Sequence, residues 1–179
     1  MHSTGNSVYW GWRGTPTKKL ADMYLCQSSG LPISNPKSGF KGYAKMTDEF
    51  ENRDPRMRQT FLVPGTAYMS PQMGPLVCDP AFTTRPETRT GYKLYKFMGD
   101  ERTLVNNSCY DYHVIRYAEV LLILAEATFE RYGAISDGML DKTINVIRSR
   151  AGVNMPKLSN AFVRENGLDM LTEIRRERT

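Results

Sequence analysis

From residue 114 to residue 132 the chain reads VIRYAEVLLILAEATFERY, apolar nearly all round a helical wheel. Such a pattern predicts a helix buried on several sides. Gly133 ends it, and Ser136 or Asp137 can cap the next helix. Met139, Leu140, Ile144, Ile147 and Ala151 then recur at helical spacing up to Gly152. Two helices joined by a few residues form an antiparallel hairpin. A last helix is expected from Asn166, with Asp169 favouring the positive end of its dipole and Leu168, Leu171 and Ile174 as its apolar stripe.

The first part of the chain is patterned differently. Thr15-Pro16-Thr17 opens a short helix whose stripe is Leu20, Met23 and Tyr24, closed by Gly30 and Pro32. Residues 33–57 are polar and broken by Gly and Pro, with Arg53-Asp54-Pro55-Arg56 as their most distinctive word. Residues 58–63 and 92–97 are rich in aromatic and β-branched residues and read as two short strands. The proline-rich stretch 64–91 between them reads as a long exposed loop that helps shape a ligand surface.

Composition narrows the function classes. The 179 residues are 40% hydrophobic, enough for a core. No apolar run approaches a membrane span. The net charge of +5 is spread among carboxylates, as in Glu173, Arg175, Arg176, Glu177 and Arg178, rather than gathered on a nucleic-acid face. The odd set Cys26, Cys78 and Cys109 makes no disulfide framework, although one pair among them stays open. Cys109 and His113 lack the further ligands a zinc site needs. No GxSxG, HExxH or Walker loop occurs, and no carboxylate pair stands out for glycosidic chemistry. Neither cofactor nor metal is expected.

The aromatic cluster Tyr9, Trp10 and Trp12 lies in a Gly-flanked stretch outside any regular periodicity. Sugar rings pack their C–H faces on indole and phenol rings, while polar neighbours fix the hydroxyls. Asn6 and Arg13 can supply those contacts, and Tyr68 is a second aromatic candidate. The bland reading of the same rings is that one or two plug the core.

Several words, in order, carry a family resemblance: LADMY, SGLPI, NRDPR, TGYKLYKF, then Arg116-Tyr117-Ala118-Glu119, Ala125-Glu126-Ala127, Asn145, Arg148-Ser149-Arg150-Ala151-Gly152, and the closing IRRER. Together they resemble the SusD-like (RagB/SusD) family of outer-membrane nutrient-binding lipoproteins. The resemblance implies a mainly α fold of tetratricopeptide-like helical hairpins with long loops and a small β-hairpin. It divides the chain into a loop-rich segment, 1–113, and a helical core, 114–179, of a domain expected to be truncated at both ends. It also implies that companion helices wall in the segment around Leu121 to Leu124.

The family's role would be non-catalytic capture of oligosaccharide or polysaccharide at the cell surface and delivery to a SusC-like TonB-dependent transporter. The protein would face outwards from the outer membrane on a lipid anchor that this chain does not display, and no nucleic acid is implied. A helical protein-interaction scaffold and a peptide-importer component are the alternatives. Arg53, Asp54, Arg56, Arg116, Glu119, Arg148, Arg150 and Gly152 are expected to be structural. Arg116, Glu119, Arg148 and Arg150 would form a charged network between helices, and Gly152 a left-handed helix cap. Asp54 would accept from backbone amides in a turn, with its flanking arginines facing solvent or a helix C-terminus.

Overall fold

The computed structural model describes residues 15–70, 74–78, 90–96 and 113–179. Among them the protein is mostly helical, with one two-stranded antiparallel sheet. The helices are α1 (Lys18–Met23), α2 (Pro55–Thr60), α3 (Tyr117–Tyr132), α4 (Asp137–Lys142), α5 (Ile144–Arg148), α6 (Asn160–Glu165) and α7 (Met170–Arg178). The strands are β1 (Ala67–Ser70) and β2 (Gly74–Val77), paired from Ala67 opposite Val77 to Ser70 opposite Gly74.

Local signals fix the helix ends. Thr17 caps α1, its side chain accepting from Leu20 N at 3.2 Å. Gly133 ends α3 at φ 67°, its amide donating to Phe129 O at 2.8 Å. Ser136 caps α4 by accepting from Met139 N at 3.2 Å.

Four expectations are corrected. Residues 58–63 are not a strand, because Asp54 caps α2 and Pro55 fills its first position, carrying the helix to Thr60. Phe61 and Leu94 then share a single antiparallel bridge rather than a ladder. The hairpin lies instead inside the stretch expected to be a loop. Thr143, at φ −122° and ψ −91°, breaks the second helix of the pair into α4 and α5. Asn166 ends α6, and the cap of α7 is Asp169, which accepts from Thr172 N at 2.8 Å.

The main core joins Leu121, Leu122 and Ala125 of α3 to Leu140, Ile144, Ile147, Leu158, Val163, Met170 and Ile174. α7 is fastened to α3 by Arg175, which reaches Glu126 at 3.0 Å and Glu130 at 2.8 Å, and by Arg178 with Glu126. Only one side of α3 is buried: Val120, Ile123 and Leu124 are 50%, 44% and 46% exposed. A second core gathers Ala21, Phe50, Met57, Phe61, Val63 and Tyr92, with Phe61 edge-on to Tyr24 and Tyr92. Leu25, Val153 and Met155 form a bridge of buried side chains between the two halves.

Candidate functional site

The RDPR word sits where the two halves meet. Arg53 pairs with Cys26 in an antiparallel bridge, and Asp54 N donates to Leu25 O at 2.8 Å. The Arg53 side chain is 4% exposed. Its guanidinium donates to the carbonyls of Ala21 (2.6 Å), Tyr24 (2.9 Å) and Glu49 (2.9 Å). It thereby closes the C-terminal end of α1, where carbonyls lack helical partners. Burial lowers the Arg53 pKa from its ordinary value.

Asp54 and Arg56 begin a line of alternating charges. Arg56 Nε donates to Asp54 Oδ1 at 2.9 Å and Nη2 to Oδ2 at 2.5 Å, a bidentate fork. Arg56 Nη1 donates to Glu177 Oε2 at 3.0 Å, and Arg148 Nε donates to Glu177 Oε1 at 2.7 Å. Arg148 Nη2 lies 2.7 Å from the same oxygen but off the line of a hydrogen bond. Side chains 54, 148 and 177 are 2%, 1% and 2% exposed. Burial pushes the Glu177 carboxyl up, but the Arg148 and Arg56 guanidiniums outweigh it, and the net shift is downwards. Burial also opposes the charge on Arg56, yet Asp54 and Glu177 raise its pKa.

Above this line opens a cleft of about 600 Å³. Asp54, Arg56, Arg116, Glu119, Arg150 and Glu177 all line it, so words from four distant parts of the sequence converge there. Leu122, Ile147 and Val153 supply apolar wall, and Lys96, Arg176 and Arg178 add cationic groups. The two deep carboxylates are each held by guanidiniums, so neither buried charge is left unpaired.

The other expected residues distribute as follows. Tyr9, Trp10, Trp12, Arg13 and Asn6 lie outside the described residues, as does Cys109. Tyr68 is not in an open loop: it is on β1, 8% exposed, packed with Leu62 and Cys78, and Lys93 Nζ is 5.6 Å from its ring centre. Arg116, Glu119 and Arg150 are exposed at the cleft, and among the described residues no ion pair joins their side chains. Of the four residues expected to form a charged network, Arg148 does join one, but with Glu177 and Arg56 rather than with Arg116, Glu119 and Arg150.

Gly152 does adopt the left-handed conformation, at φ 80°, but not as a helix cap. Val153 N donates to Arg150 O at 2.9 Å, so Gly152 is the third residue of a turn that needs positive φ there. Asn145 is buried and grips the segment after that turn. Its amide donates to Leu158 O (2.9 Å) and Asp141 Oδ1 (2.9 Å), and its oxygen accepts from Leu158 N (2.8 Å). Arg148 Nη1 holds Pro156 O at 3.0 Å. Cys26 is a buried free thiol whose pKa burial raises, and Cys78 is likewise buried. Among the described residues no group of His, Cys, Asp and Glu could hold a metal ion, and no helix is long and apolar enough to cross a membrane.

The model of the SusD family (SusD_RagB) matches residues 2–179. The chain belongs to the SusD family. A SusD-like carbohydrate-binding protein from Bacteroides fragilis shares the fold with a TM-score of 0.63 and 27% identity, over 91% of this chain and 32% of that one. A second SusD-like protein from the same organism has a TM-score of 0.61 and 23% identity, over 99% of this chain and 36% of its own, and shows the fold alone. This SusD-family chain thus spans about a third of the length of these solved relatives. No curated protein sequence matches it.

Proposed function

We propose that the protein captures glycans without cleaving them, on the outward face of a bacterial outer membrane, and passes them to a SusC-like TonB-dependent transporter. The observation that carries this reading is membership of the SusD family, with a similar structure described as a carbohydrate-binding protein. The transporter, the lipid anchor and the surface location follow from the family resemblance. Tyr9, Trp10 and Trp12 are the proposed ring-stacking contacts, with Asn6 and Arg13 on the hydroxyls.

The two tryptophans of the chain, Trp10 and Trp12, both lie in that cluster, so their emission reports on it directly. Titration with plant, host and microbial oligosaccharides is expected to shift the emission saturably. Unchanged emission across the panel counts against the cluster as the contact. A pull-down from native membranes tests the transporter partnership, and recovery of no TonB-dependent transporter counts against it.

A second reading is favoured by one observation. Val120, Ile123 and Leu124 leave an apolar row of α3 facing solvent. Rows of this kind suit contact with further helices or a protein partner. On that reading the helical part is a protein-docking scaffold without a small ligand.

A further inference from the structure

Away from the cleft, the loop between α1 and α2 presents a fixed aromatic ring. Tyr43 is 54% exposed and lies edge-to-face with Phe40, their ring centres 5.1 Å apart. A lone exposed tyrosine needs no explanation. This one is held on several sides. Lys18 Nζ sits 4.2 Å from its ring centre and donates to its hydroxyl at 2.6 Å, and that hydroxyl donates to Asp22 Oδ1 at 3.2 Å. Lys18 is also paired with Asp22 and lies 3.4 Å from Glu49 Oε1, which accepts from Tyr92 Oη at 2.5 Å.

The loop beneath is equally constrained. Asn52 Nδ2 donates to Gly39 O at 3.1 Å, and Asn52 Oδ1 accepts from Ser28 N at 3.0 Å. Gly39 and Gly42, at φ 74° and 83°, make turns that a side chain would strain. The Arg53 guanidinium lies 5.3 Å from the Phe40 ring centre. An exposed ring fixed in place and fringed by an ammonium and two carboxylates offers an apolar face with polar groups at its rim. Pyranose rings present the complementary surface, a C–H face edged by hydroxyls. The ammonium nearest the ring is already neutralised by Asp22 and Glu49, which suits an uncharged sugar rather than a uronate or sulfate.

We propose that Tyr43, backed by Phe40 and fringed by Lys18, Asp22 and Glu49, is a stacking site for a neutral pyranose unit. The site rests on the glycan-capture reading and adds to it a position apart from the Tyr9, Trp10 and Trp12 cluster.

The test is calorimetric titration of wild type, Tyr43→Ala, Tyr43→Leu and Tyr43→Phe with maltohexaose, xylohexaose and mannohexaose, with a thermal melt of each variant. For the hexasaccharide that wild type binds, loss of the ring in Tyr43→Ala and Tyr43→Leu is expected to weaken affinity about three- to tenfold, while Tyr43→Phe stays within about twofold. The melting temperatures should change little, since the ring is on the surface. If wild type binds a hexasaccharide and both ringless variants bind it equally well, the Tyr43 site is overturned and the glycan-capture reading stands. If wild type binds none of the three, the neutral-sugar site is overturned. Binding of other glycans in the wider panel then decides the broader reading separately. If Tyr43→Ala does not fold, Tyr43→Leu decides.

Discussion

Arg148 and Glu177, 29 residues apart, meet at 2.7 Å with both side chains almost wholly buried. This contact ties the end of α5 to the last turn of α7. Glu177 reaches on to Arg56 at 3.0 Å, so α2 is fastened to the same point. Breaking a buried pair leaves one charge stranded. Glu177→Leu is expected to lower stability by about 3–5 kcal/mol, and the double variant Glu177→Leu/Arg148→Met to recover part of that loss. Chemical denaturation of the three proteins checks it, and an unperturbed midpoint in Glu177→Leu refutes it.

The same carboxylate gives a pH dependence of definite sign. The Glu177 pKa is lower in the folded protein than in the unfolded chain. Its contribution is therefore fully present above the unfolded carboxylate value of about 4.3 and is lost as pH falls through the folded value. Glu177→Gln should flatten that part of the acid limb of the stability curve. Melts from neutral pH into the acid range, wild type against variant, measure the difference.

Arg53 is expected to tolerate no lysine. Its planar guanidinium serves three carbonyls at once, which one ammonium on a flexible stem cannot copy. Arg53→Lys should cost about 1.5–3 kcal/mol, the scale of hydrogen bonds to a charged group. Hydrogen exchange of the α1 amides should quicken in step, and unchanged exchange would count against the capping role.

Asn145→Ala removes a side chain that satisfies both backbone groups of Leu158. Leaving buried backbone groups unpaired costs about 1–3 kcal/mol. Thermal denaturation reads the loss, and a midpoint equal to wild type would contradict it.

Gly152→Val is expected to lower the melting temperature, while Gly152→Asn is better tolerated. No neighbouring atom lies within 4 Å of where a Cβ would stand, so the penalty is conformational. For a β-branched residue at positive φ it is about 1–3 kcal/mol. Equal melting of the valine variant and wild type would show that the turn does not need its glycine.

What could be read in the sequence followed from how local the signal was. Thr17, Gly133 and Ser136 act within a few residues of themselves, and their roles as helix ends were plain in the pattern. The hairpin was hidden because Pro75 and Gly74 occupy one of its two short strands and resemble loop residues. Asp54-Pro55 opened a helix where the aromatic and β-branched residues after it suggested a strand. The partner of Arg148 was out of reach, since a mixed-charge stretch such as IRRER does not reveal that Glu177 turns inwards. Tyr68 was misjudged for the same reason: an aromatic among prolines reads as exposed until Leu62 and Cys78 close around it. Tyr43 carried no periodic or motif signal, and only the fold gathers Lys18, Asp22 and Glu49 around it.

Glycan capture without cleavage is tested most directly by incubating the protein with each oligosaccharide of the panel, titrating by calorimetry, and then assaying the same sample for newly formed reducing ends. The account predicts saturable heat with at least one glycan and no new reducing ends. Release of reducing ends, or no heat with any glycan, would contradict it.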